Sequence, residues 1–119
     1  MRKHTVTYKK YDVVTVPFPF TDSAMQKRRP ALVLSDHATF NTKIGHSVMA
    51  MITSEKNAPW PLDVRIGDLS QAGLPAPSVV RMKLFTLDHR FVVTKVGVLS
   101  SADRLLVNDA LDKLLAIPK

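Results

Sequence analysis

Lys27, Arg28 and Arg29 stand in a row directly before Pro30, and Thr53 and Ser54 close an apolar run that ends at Ile52. These are the residues with chemistry to offer. Pro30 disfavours the helical state at the residue before it and so holds Arg29 extended. An Arg fixed at a strand entrance presents a planar fork of donors that suits a phosphate. A hydroxyl at a strand exit can bond a phosphate oxygen or orient a leaving group, and it can equally cap the next turn. Three consecutive bases at a loop end also make an ordinary solvated face. The two readings are therefore a cation-and-hydroxyl site for an anionic substrate, and a charged surface with a capped turn.

Other chemistries lack their residues. The chain has no Cys, which excludes disulfides, thiolate zinc sites and Cys nucleophiles. Nine separated Asp, the lone Glu55, and His4, His37, His46 and His89 form no ligand pair at helical spacing, so neither metal nor cofactor is expected. Four scattered Gly build no phosphate-cradling loop, and no run of aromatics suggests passive single-strand binding. The 119 residues carry 17 Lys and Arg against 10 Asp and Glu, a formal charge of +7. Such an excess favours an anionic partner, nucleic acid being the commonest, though it also serves solubility. Residues 1–30 hold a net +5, residues 31–77 a net −1 and residues 78–119 a net +3. If the two basic ends meet in the fold, they make one positive face. No apolar run is long enough to span a membrane, and the basic start has no apolar stretch behind it, so a cytoplasmic protein with no membrane partner is expected.

The elements that must position these residues are short. A hydrophobic share of 45% in 119 residues fits a single domain spanning 1–119, with 1–10 as a flexible basic segment. β-branched and apolar runs predict strands over 12–16, 31–35, 47–52, 62–66, 78–82 and 90–99, with Gly97 marking a bulge or bend in the last. Pro17 and Pro19 end the first strand or place it on an edge. Residues 21–28 read as a polar loop, 57–61 as a proline-punctuated one, and Asp36 as the cap of a helical turn over 37–41. After a cap in residues 101–103, Leu105, Leu106, Ala110, Leu111, Leu114 and Leu115 recur at helical spacing as one apolar face. The fold class is mainly β: a small barrel with an amphipathic C-terminal helix.

The order of the pieces is more specific than any one of them. Val16-Pro17-Phe18-Pro19-Phe20-Thr21-Asp22 leads into a polar loop, then Lys27-Arg28-Arg29-Pro30, the Ile52-Thr53-Ser54 exit, a Ser78-Val79-Val80-Arg81 strand, Thr86-Leu87-Asp88, Val96-Gly97-Val98-Leu99-Ser100 and a last helix. From about Tyr11 to Ile117 this resembles the MazF/PemK family of toxins from bacterial toxin–antitoxin modules. The resemblance implies an SH3-like barrel, a homodimer, and metal-independent endoribonucleolytic cleavage of single-stranded RNA, usually mRNA. It implies a cognate antitoxin whose disordered tail blocks the RNA groove, and operator DNA bound only through the toxin–antitoxin complex. Arg29 and Thr53 match the family's catalytic pair. Lys27, Arg28, Ser54, Arg81 and Lys83 are then candidate RNA contacts.

Two departures stand out. The family has Gly before the first strand's acidic residue, where this chain has Tyr11 before Asp12. In one PemK-like branch an Arg and an Asp take acid and base roles; Arg81 corresponds to that Arg, while the Asp has no counterpart evident in the sequence. His46 and His89 could act as bases by their ordinary pKa, or be surface and packing residues. Trp60 could fill core or stack on a base. Rival functions are a non-catalytic toxin acting on a protein, as the related CcdB toxins act on DNA gyrase, and a basic module that binds nucleic acid without cutting it.

Overall fold

A computed structural model describes residues 6–18 and 27–118. The expected polar loop lies, up to residue 26, outside the described residues, as do Pro19 and Phe20. Among the described residues six strands form one antiparallel sheet: β1 (Asp12–Phe18), β2 (Lys27–Val33), β3 (His46–Ser54), β4 (Val64–Arg65), β5 (Ser78–Asp88) and β6 (Thr94–Val98). Their spatial order is β4-β5-β3-β2-β1-β6. The sheet curls into a half-barrel, and the helix α3 (Ser101–Leu115) packs against it, the mainly β class expected.

Both faces of the sheet are covered. On one, Val13, Leu32, Ile52 and Val80 pack with Val107 and Ala110 of α3. On the other, Val14, Val16, Ala31, Val33 and Met49 pack with Leu87 and Tyr8. Strict alternation along each strand separates the two sets. In β5 two extra residues stand between the pairs Ala50↔Leu84 and Met51↔Arg81. Because the insertion is even, the side chains on either side of it keep their faces.

The edge strands β4 and β6 do not pair. A short helix, α2 (Leu69–Ala72), spans the gap and touches β6. Two glycines permit the approach. A Cβ on Gly97 would lie 2.4 Å from the Ala72 carbonyl carbon, and one on Gly73, already at φ +74°, would lie 2.1 Å from the Val96 oxygen. The bulge expected near Gly97 is present, since the β1–β6 register shifts between Val13↔Gly97 and Val14↔Lys95.

Several elements differ from the sequence reading. β2 begins at Lys27, four residues early, because Phe18↔Lys27 and Pro17↔Arg28 extend its pairing with β1. Over 62–66 only Val64 and Arg65 pair, since Leu62 takes a positive φ of 67° that no strand accommodates. Residues 90–99 open with a 3₁₀ turn, His89–Phe91, capped by the Asp88 carboxylate on the Arg90 amide at 2.9 Å. The second half of the N-terminal segment is docked: Tyr8 is 7% exposed, its ring edge-on to His89 at 5.2 Å. Asp36 does cap His37–Asn41, accepting from the Thr39 amide at 2.9 Å, and the short helix α1 (Thr42–Ile44) follows directly.

The largest correction concerns α3. Its inward stripe is Asp103, Val107 and Ala110, with Leu111 packed partly against the core; of the expected face, Ala110 and Leu111 do turn inward, whereas Leu105 is 72% exposed and Leu106, Leu114 and Leu115 are exposed as well. The rotation is set by a polar anchor. Ser100 Oγ caps the helix, accepting from the Asp103 amide, and the buried Asp103 carboxylate accepts from the amides of Gly67 and Asp68 at 3.0–3.1 Å. Turning the leucines inward would strand that carboxylate and two backbone donors.

Tyr11 sits at φ 79°, the left-handed conformation that a Gly would adopt freely. Its cost, about 1–2 kcal/mol, is offset by contacts a Gly lacks. The hydroxyl bonds Asn108, the ring packs against the helix-side core, and the Arg104 guanidinium lies 5.0 Å over it.

Two stability measurements follow from this packing. Gly97→Ala drives a methyl into backbone, so its urea midpoint should fall by the equivalent of about 1–3 kcal/mol with the m-value unchanged. Burial, and then the charge of His46, hold the His89 imidazole below its ordinary pKa, and its Nε2 is 2.7 Å from Ser47 Oγ. The unfolded chain therefore binds this proton more readily. The stability His89 contributes is complete above about pH 6.5 and is lost as pH falls through its folded value. The wild-type midpoint should drop between about pH 7.5 and pH 5.5, and His89→Gln should flatten that drop.

Candidate functional site

The register Ala31↔Met51 is the last pair between β2 and β3. Continued by two residues, it sets Arg29 opposite Thr53. Both side chains fall on the face away from α3, and both line a cleft of about 210 Å³. Phe18 of β1, Met51 and Ile52 of β3, and Arg81 and Lys83 of β5 complete its strand walls, while Asn57 and Trp60 come from the β3–β4 loop. The basic ends of the sequence thus meet here, Arg29 from one and Arg81 with Lys83 from the other.

Each polar group in the cleft is held differently. Arg29 pairs with Val16 of β1, lies past the last β2–β3 pair and is exposed. Thr53 Oγ1 accepts a hydrogen bond from Asn57 Nδ2 at 2.6 Å. With that lone pair occupied, the hydroxyl proton is available for an acceptor in the cleft. Lys83 Nζ stands 5.0 Å over the Phe18 ring.

Arg81 is only 9% exposed. Its Nε and Nη2 donate to the two oxygens of Asp63 at 3.2 and 2.9 Å, and Nη2 also donates to the Ala58 carbonyl at 2.9 Å. Its guanidinium lies 5.1 Å from the centre of the Trp60 ring. Asp63 in turn accepts from the Trp60 amide at 2.9 Å. Burial pushes the Asp63 carboxyl up, but the Arg81 hydrogen bonds, the Trp60 amide and the guanidinium charge outweigh it and leave the group below its usual value. So depressed and so engaged, Asp63 serves as a brace for Arg81 and makes a poor proton acceptor.

The remaining candidates stand apart. Arg28 alternates to the opposite face from Arg29, and Lys27 lies beyond the cleft at the exposed start of β2. Ser54 also points away from Thr53, its hydroxyl accepting from the Lys56 amide at 3.2 Å to close the turn. His46 and His89 sit at the far end of β3 and β5, roughly 20 Å along the strand from Thr53. Neither can reach a substrate at Arg29. Asn57, in the cleft, and Asp63, behind Arg81, are the residues that sequence reasoning missed. Asn57 follows Thr53 by four residues inside a turn, and nothing in the spacing of Asp63 and Arg81 marks them as partners.

The cleft therefore presents three cations and a hydroxyl donor, and no carboxylate lines it among the described residues. That arrangement suits an anion with several oxygens, such as a phosphodiester.

Similar folds are known. An endoribonuclease in complex with its cognate antitoxin, from a Mycobacterial species, superposes with a TM-score of 0.74 at 18% identity, covering 94% of this chain and 98% of that one. A MazE–MazF complex from Deinococcus radiodurans gives 0.73 at 24% identity over 93% and 98% of the two chains. The Mycobacterium tuberculosis toxin MazF-mt6 gives 0.71 at 17% identity over 91% and 99%. At these identities the likeness shows the fold. Among curated proteins no sequence matches significantly. Residues 9–115, however, match the family model of the PemK-like, MazF-like toxins of type II toxin–antitoxin systems, and the chain belongs to that family.

Proposed function

We propose that this toxin is an endoribonuclease that cuts single-stranded RNA, with Arg29 and Thr53 as its catalytic residues. The observation that carries the reading is their convergence from two neighbouring strands on one cationic cleft. RNA brings its own nucleophile. The 2′-hydroxyl gives its proton to water and its oxygen attacks phosphorus, the bond from phosphorus to the 5′-oxygen breaks, that oxygen takes a proton from water, and the products are a 2′,3′-cyclic phosphate and a 5′-hydroxyl. The protein's task is to stabilise the charge that gathers on the phosphorane oxygens.

Arg29 supplies fixed positive charge there. Its planar fork of donors can bond two phosphate oxygens at once, so its role is electrostatic. Thr53 donates a hydrogen bond to a non-bridging oxygen while Asn57 holds the hydroxyl from behind. Lys83 attracts the neighbouring phosphate, Arg81 being engaged by Asp63, and Lys27, at the exposed end of β2, extends that field. Family membership supports the wider setting: a homodimer in the cytoplasm, held inactive by a cognate antitoxin, with mRNA as the cellular substrate and operator DNA bound only through the toxin–antitoxin complex.

A long mixed-sequence RNA incubated in EDTA and mapped for new 5′-hydroxyl ends tests the reading. Wild type should cut it, and deoxyribose at the cleaved step should abolish the cut. Arg29→Ala and Thr53→Val should each lower the rate by about 10²- to 10³-fold. Arg29 is exposed, so its variant should unfold at the wild-type midpoint. A transcript left whole at high protein concentration, but bound in a salt-dependent way, would favour the non-cutting module instead.

Asp63→Asn probes the scaffold of the same cleft. It leaves a buried guanidinium without its counter-charge, and the stability should fall by about 3–5 kcal/mol. The folded Asp63 pKa is depressed, so this contribution is present above about pH 4 and vanishes as pH falls through the folded value. Denaturant midpoints of wild type and variant should therefore converge on acidification.

A further inference from the structure

Trp60 is the one tryptophan of the chain, and it is 44% exposed. Leaving so large an apolar ring half in water is unfavourable unless something covers it. Its mounting is rigid. Pro59 and Pro61 flank it and fix the backbone on both sides. The Asp63 carboxylate holds its amide, and the buried Arg81 guanidinium lies against its ring at 5.1 Å. Arg81 is itself fixed by Asp63 and the Ala58 carbonyl. The ring lines the same cleft as Arg29 and Thr53.

We propose that Trp60 is a stacking subsite for an unpaired nucleobase next to the phosphate bound by Arg29 and Thr53. The class of ligand follows from the neighbours. The cations attract a polyanion, and the polyanion that also carries flat apolar rings is nucleic acid. The base is unpaired, because a base inside a duplex has its faces covered by its neighbours. A cation behind the indole and a base before it make a three-layer stack, and the rigid mounting means that little side-chain freedom is lost on binding. This subsite rests on the nuclease reading only for RNA as the natural polymer.

The test uses the full chain and a randomised, fully 2′-O-methylated oligoribonucleotide, which keeps bases and phosphates and lacks the nucleophile. Binding should quench the single tryptophan's fluorescence in a saturable way. An abasic oligomer of equal length should bind through its charge without quenching. By anisotropy of a labelled oligonucleotide, Trp60→Ala should bind about tenfold or more weakly, the loss of one stack. Trp60→Phe should recover most of that affinity, which separates stacking from a folding defect. Saturable binding with unchanged fluorescence, or wild-type affinity in Trp60→Ala, overturns the subsite; the latter would leave Trp60 to a protein partner. Quenching without cleavage of unmodified RNA overturns the nuclease reading and leaves the subsite standing. Cleavage without quenching does the reverse.

Discussion

The cleft depends on one buried ion pair. Arg81 lies in the middle of β5 on a covered part of the sheet, where an unpaired guanidinium would be untenable. Asp63 answers it with both oxygens, and the loop between β3 and β4 must fold back over the sheet for that to happen. That return sets Ala58, Trp60 and Leu62 in turn, and Leu62 takes a left-handed backbone, costing about 1–2 kcal/mol, to complete it. A hydrophobic pair could fill the same volume at less desolvation cost. It would not fix the loop's register, since apolar contacts do not specify direction. The bidentate pair does, and the placement of Asn57 and Trp60 follows from it.

Around this pair the sheet does two jobs with the same strands. Its helix-covered face is the core, and its other face carries apolar packing at one end and the cleft at the other. Period-two alternation keeps the two apart: Ile52 goes to the core while Met51 and Thr53 go to the cleft. The two-residue bulge in β5 is the device that brings Lys83 in beside Arg81 without swapping faces. Curvature is secured far from the site, where the α2 backbone presses on Gly97 and the Asp103 carboxylate ties α3 to the loop after β4.

Much of this was legible in the sequence wherever a local pattern carries it. The β-branched run of β1, the apolar run of β3, the Asp36 cap and the irregularity at Gly97 are short-range signals, and each has its structural counterpart. The Arg29–Thr53 meeting was legible through the family pattern and has a simple cause in an antiparallel register two residues past the last pair. The Arg81–Asp63 pair was not legible, because 18 residues and a proline-rich turn separate the partners and no periodicity links them. The buried stripe of α3 was misread for a related reason. Six leucines and alanines outvote one Asp on any hydrophobicity count, yet the buried Asp decides the rotation because its partners are two backbone amides that nothing else satisfies.

Hydrogen-bond polarity gives the cleft its chemical direction. A threonine hydroxyl has one proton and two lone pairs, so whether it donates to a substrate depends on what else it touches. An Asp in place of Asn57 would take that proton and turn Thr53 into an acceptor facing an anion, which repels. The Asn57 amide donates instead, at 2.6 Å, and leaves the proton for the cleft. Arg29 and Lys83 act the same way, as donors with no acceptor capacity. The site is therefore uniform in sign: every polar side chain that opens into it from the strands offers hydrogen or positive charge. Such a cleft discriminates by charge and geometry together, and it suits an anion with several oxygens to share among its donors.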